Sequence, residues 1–148
     1  MLSAIANLRL VAKCCREGQR LEGDLANWLG QGLETFLNHR ARSLHEALGL
    51  RVPKGGVPWW REEAIRQRDA ALRQLASLYL CGLSASGKAR EIERLARRYA
   101  ATAWRFDRTR EDMPREYSGK AQQWIWIAFK SGAPMPLGQR QLRQILGK

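Results

Sequence analysis

The sequence predicts an all-α protein, a single compact domain of about five to six helices. Three observations carry that expectation. Apolar residues recur at three-to-four spacing along most of the chain. Clusters of Gly and Pro punctuate the recurrence at intervals suited to helices of ordinary length. No stretch alternates apolar and polar residues as a half-buried strand does. The chain has 148 residues, 45% apolar and 27% charged, which suffices for one core of ordinary size and not for two large ones.

The first helix is expected over 2–16, where Leu2, Ile5, Leu8 and Ala12 share a face with Val11 beside them, until Gly18 breaks the pattern. A second is expected to start after Asp24 as its N-cap and to carry Leu25, Trp28, Leu29, Leu33, Phe36, Leu37, Leu44 and Leu48 on one side as far as Gly49. Gly30 and Gly32 inside it cost about 1 kcal/mol each relative to Ala, which a bend or a close helix crossing would explain. Residues 51–58, RVPKGGVP, form the clearest loop. They separate a near-neutral helical scaffold over 1–50 from a basic helical part over 59–148. Pro58 suits the first turn of a third helix, WWREEAIRQRDAALRQLASLYL, which Gly82 ends. Ser84 or Ser86 caps the longest patterned helix, from about 85 to 110. After the loop DMPREYSG, two short helices are expected over 119–131 and 137–146, with GAPMP between them.

The charge is the unusual quantity: 26 Lys and Arg against 14 Asp and Glu leave +12. A balance of that size bears on partners and solubility, not on fold. It is unevenly placed. Residues 1–50 hold six basic and five acidic side chains, residues 51–110 fourteen and six, residues 111–148 six and three. On a continuous helix over 85–110 the side chains of Arg90, Arg94, Arg97, Arg98, Arg105 and Arg108 fall within one arc of about 100°. Ile92, Leu95, Ala96, Tyr99, Ala103 and Phe106 fall opposite, as a core-facing stripe. Trp104 lands on the edge of the basic face, and Glu91 and Glu93 flank it, so the six arginines are expected to lack partners within their own helix. Arginines interleaved with an aromatic suit phosphate contact and base stacking. A charged face on an amphipathic helix is also what plain solvation produces, and an acidic protein partner would use the same charges.

A second pattern lies at the C-terminus. Ala128 followed by Gly132 matches the small residue and turn glycine of a helix-turn-helix, and a last helix with Leu142, Ile145 and Leu146 inward presents Gln139, Arg140, Gln141, Arg143 and Gln144 outward. Gln reads adenine and Arg guanine along the major groove. The linker GAPMPLG is longer than the usual three-to-four-residue turn.

Six tryptophans are many for this length. Trp28, Trp60 and Trp124 lie on patterned faces and are expected in the core, whereas Trp59 at the loop-to-helix junction is expected at the surface. Residues 124–129 are apolar all round, which places them in the core or at an oligomer interface. Cys14, Cys15 and Cys81 are odd in number, two of them adjacent, and read as small reduced core residues. His39 and His45, six apart, are not a metal pair, and SASGK lacks the spacing of a phosphate loop. No apolar run reaches the roughly 18 residues that cross a bilayer, and the N-terminus lacks the layout of a secretory signal. The expectation is therefore a cytoplasmic, non-enzymatic nucleic-acid-binding protein, with no cofactor, metal or membrane partner and with DNA favoured over RNA. The alternative is a helical adaptor or inhibitor docking an acidic protein. A homodimer is compatible with either.

Overall fold

A computed structural model describes residues 3–136 and 138–147. Leu2 and Leu137, expected at the starts of the first and last helices, lie outside the described residues. The all-α expectation holds: among the described residues there are eight α-helices, six of them of seven residues or more, and no strand. The chain divides into two compact units, residues 1–59 and 60–148.

The first unit holds α1 (Ala4–Glu17), α2 (Gly23–Leu37) and α3 (Leu44–Ala47). Ser3 caps α1, its hydroxyl accepting from the Ala6 amide at 3.3 Å. Gly18 closes the helix at φ 62° with the Gln19 amide on the Cys14 carbonyl at 2.9 Å, the paired bonding of a Schellman stop. The N-cap of α2 is Glu22 and not Asp24, which sits in the first turn and there favours the positive helix end. The long second helix expected to reach Gly49 is two helices. His39 takes φ 56°, its amide bonds the Phe36 carbonyl at 3.1 Å, and the Arg40 amide bonds the Thr35 carbonyl at 3.0 Å, a second Schellman stop built on a non-glycine residue. Ser43 then restarts the chain: its hydroxyl accepts from the Glu46 amide at 3.1 Å while Glu46 accepts from the Arg42 amide at 3.0 Å. Of the two interior glycines of α2, Gly32 is the close approach. A Cβ built there meets Leu48 Cδ2 at 2.5 Å, whereas one at Gly30 meets nothing within 4 Å. Among the described residues, Leu48 is the buried apolar side chain of this unit.

The second unit is built on α4 (Trp59–Tyr79), whose first residue belongs to the preceding unit, with α5 (Ala85–Ala101), α6 (Trp104–Asp107), a 3-10 turn (Arg115–Tyr117), α7 (Ala121–Lys130) and α8 (Gln139–Leu146). Its core joins Ala71, Leu72, Leu75 and Ala76 of α4 to Ala89, Ile92 and Tyr99 of α5, Ile125 and Ala128 of α7 and Leu142 of α8. Trp124, Trp126, Ile127 and Phe129 pack against that core, so the segment that is apolar all round is core. Two aromatic expectations at the start of α4 exchange places: Trp60 is exposed and Trp59 half-buried. The thiols also differ from expectation, with Cys15 and Cys81 exposed and Cys14 half-buried, all three free.

Candidate nucleic-acid interface

Ser84, the first of the two predicted caps, starts α5 by accepting from the Gly87 amide at 3.1 Å. The helix buries Ala89, Ile92 and Tyr99 and leaves Arg90, Arg94, Arg97 and Arg98 exposed, as its periodicity requires. Two of the four are not unpartnered, contrary to the wheel. Arg94 grips Glu91 through Nε at 3.0 Å and Nη2 at 2.5 Å, and Arg97 Nη2 lies 2.8 Å from Glu93 Oε1. The wheel placed Glu91 and Glu93 beside the arc, and side chains three and four residues apart reach across that gap. The Arg94 hydrogen bond holds the Glu91 carboxyl below its ordinary range. Exposed pairs of this kind contribute little to stability, so a phosphate can replace the carboxylate. Arg90 and Arg98 have no ion pair among the described residues.

The expected helix over 85–110 does not run through. Thr102 leaves helical geometry at φ −119°, ψ −88°, with its hydroxyl turned back onto the Arg98 carbonyl at 2.7 Å. The helix stops there and the short α6 follows, and the aromatics change roles. Trp104 turns into the core, its ring centroid 6.0 Å from that of Tyr99 and 5.2 Å from that of Phe129. Phe106, expected in the core stripe, is 64% exposed with the Arg105 guanidinium 4.7 Å above its ring. Trp104 is thus withdrawn from the basic surface and Phe106, missed by the sequence reading, takes its place. The spacing did hold a signal: residues two apart cannot share a helix face, and the wheel buried the smaller ring while leaving the indole in water. Arg105 and Arg108 remain exposed without ion pairs among the described residues, and Lys130 reaches the Arg108 carbonyl at 3.3 Å, adding a cation at this end of α7.

Asp107 fixes the turn beneath these cations. It is 4% exposed, and both the Tyr99 and the Tyr117 hydroxyls donate to its Oδ2 at 2.7 Å. Arg110 lies 3.6 Å from Oδ1. Burial first, and then the hydrogen bond to Asp107, push the Tyr117 phenol up to about 12 and the Tyr99 phenol further in the same direction.

At the C-terminus Leu142 and Ile145 are buried and Gln139, Arg140, Gln141, Arg143 and Gln144 exposed, as the pattern requires. The pairing differs from that of a helix-turn-helix. Residues 131–138 separate α7 from α8, and α8 packs most closely on α5. An apolar cleft of 210 Å³ between them is lined by Ile92, Ala96, Phe129, Met135 and Leu142, with Arg97 and Glu93 at its charged edge. Two basic residues that counted toward the charge excess are spent inside the fold. Arg68 is buried and donates to the Pro134 carbonyl at 2.6 Å and to Asp69 at 2.7 and 2.9 Å, and Arg73 donates to the Ile145 carbonyl at 2.9 Å. Among the described residues no three His, Cys, Asp or Glu side chains converge as metal ligands, and no helix is long and apolar enough to cross a membrane. Comparison with protein-family models, curated proteins and solved structures gives no match.

Proposed function

We propose that the protein binds nucleic acid through the surface made by the outer face of α5 and by α6, acting without catalysis as a regulator or accessory factor in the cytoplasm. The observation that carries this reading is the set of exposed arginines without ion pairs among the described residues, Arg90 and Arg98 on α5 and Arg105 and Arg108 at α6, together with the exposed Phe106 ring stacked under the Arg105 guanidinium. Guanidinium forks suit phosphate oxygens, and a guanidinium lying on an aromatic ring offers its outer face to a nucleobase. Arg94 and Arg97 extend the same surface by exchanging Glu91 and Glu93 for phosphate. The row Gln139, Arg140, Gln141, Arg143 and Gln144 on α8 supplies groups suited to base edges, with DNA favoured over RNA.

Anisotropy titrations of labelled duplex and single-stranded oligonucleotides at several salt concentrations test the reading. If four to six phosphates are contacted, log K against log salt slopes at roughly −4 to −5 on duplex DNA. Replacing Arg90, Arg98, Arg105 and Arg108 by Ala is expected to flatten that slope by about 3 to 4. Phe106→Ala is expected to leave the slope intact and to weaken single-strand binding by about 1 to 3 kcal/mol. A slope near zero, or a quadruple variant that binds like the parent, overturns the proposal. Stoichiometric capture of an acidic protein with no oligonucleotide binding would establish the adaptor reading in its place.

A further inference from the structure

The apolar cleft of the second unit borders the arginine face of α5. Ala96 and Ala100 of α5, Phe129 of α7, Met135 of the following loop and Leu142 of α8 line it. The Phe129 wall is fixed, because its ring meets Tyr99 edge-on at 5.0 Å and Trp104 at 5.2 Å. A water takes up about 30 Å³ of liquid, so 210 Å³ has room for about seven, short of the ~300 Å³ at which drug-sized pockets begin. That is the bulk of one small planar ring and not of a whole nucleotide.

The helix joins this cleft to the arginines. At 100° per residue, with Arg90 at zero, Ala96, Ala100, Glu93 and Arg97 fall at about 240°, 280°, 300° and 340°. The side of α5 that lines the cleft therefore runs into the basic arc at Arg97. There Arg97 Nη2 lies 2.8 Å from Glu93 Oε1, the arginine side chain 76% exposed and the glutamate 19%. Glu93 Oε2 accepts no hydrogen bond among the described residues, so a shielded carboxylate oxygen beside the cleft is left to accept from a ligand.

These groups select the occupant. A hydrocarbon acid is opposed by Glu93 and a hydrocarbon amine by Arg97. A nucleobase within a strand suits both, since its ring has apolar faces, its exocyclic amine donates to a carboxylate and its phosphate takes a guanidinium. Bases stacked in a duplex cannot enter such a cleft, whereas those of a single strand can. On the nucleic-acid reading, which it rests on and deepens, we infer that the cleft holds one unstacked base of a single strand, its amine on Glu93 and its phosphate on Arg97. Cytosine is then accepted, and thymine, which carries a carbonyl where cytosine has the amine, is disfavoured.

Anisotropy titrations with oligodeoxycytidylate and oligodeoxythymidylate of about ten nucleotides, at neutral pH, isolate that amine. The cytidylate is expected to bind about tenfold more tightly. Glu93→Gln is expected to raise both affinities by freeing Arg97 and to bring their ratio near one, because the amide can also donate to the thymine carbonyl. Ala96→Leu, a good helix former that fills the cleft, should leave helical circular dichroism and the salt slope unchanged and remove the preference by weakening cytidylate binding about tenfold. Equal binding of the two oligomers by the parent chain, with a normal salt slope, overturns the inference and leaves the phosphate-binding surface standing. A preference that survives either variant does the same. Absence of salt-dependent binding to any oligonucleotide overturns both.

Discussion

Asp107 is the buried carboxylate among the described residues, and its surroundings explain why a charged group is kept in an aromatic cluster. Two phenols from separate elements, Tyr99 on α5 and Tyr117 on the 3-10 turn, donate to the same oxygen, so one side chain of α6 joins α5 to the 3-10 turn. Truncation by Asp107→Ala leaves two sequestered hydroxyls without an acceptor and is expected to cost about 2 to 4 kcal/mol in chemical denaturation, while Asp107→Asn, which still accepts, costs less. The same cluster sets a pH dependence. The folded phenols ionise above their ordinary value of 10.0, Tyr117 at about 12, so the folded state binds these protons more tightly than the unfolded one. The stabilisation is complete below pH 10 and is expected to fall as pH rises from about 10 to about 12, read as a falling denaturant midpoint that Tyr117→Phe makes shallower. None of this was legible from spacing. Tyr99 was placed inward correctly, but a wheel assigns a face and cannot name an acceptor eight residues on, across a helix break.

At the scale of the element, helix existence was legible and helix length was not. The apolar recurrence continues through Leu44 and Leu48, so periodicity alone carries α2 past its end; what stops it is a backbone turn at His39, a non-glycine residue at positive φ. The same limit applies to α5, where Thr102 interrupts a pattern that would have put Trp104 in water. In both cases an amphipathic pattern records which side chains are apolar, and two short helices inherit it as readily as one long helix. Gly30 and Gly32 separate the two reasons for a helical glycine. Gly32→Ala drives a methyl into Leu48 and is expected to destabilise the first unit by about 1 to 3 kcal/mol. Gly30→Ala, facing open space within a helix, is expected to stabilise it by roughly 0.5 to 1 kcal/mol. Thermal melts of the two variants should therefore shift in opposite directions.

For the whole molecule, the loop at 51–58 and the neutral-then-basic division were readable in composition, and the division into units falls directly after that loop. What composition overstated was the free charge between residues 51 and 110. Arg66, Arg68, Arg94, Arg97 and Arg110 each meet a carboxylate of the same segment, and Arg73 meets a carbonyl. Whether a guanidinium faces water or a backbone oxygen 66 or 72 residues further along is decided by the path of the chain, which local sequence does not contain.

Those two guanidinium tethers set an order of events in time. The stops that end the helices of the first unit join residues three to five apart, so each can close as its own segment forms. The Arg68 and Arg73 bonds join α4 to chain 66 and 72 residues later, and the loop they close opposes them entropically until α5 and α7 are already in place. The C-terminal helix is thereby expected to dock late, after the folding barrier. Arg73→Ala should accordingly leave the refolding rate in stopped-flow nearly unchanged and speed unfolding several-fold, since a bond absent from the transition state acts on the exit alone.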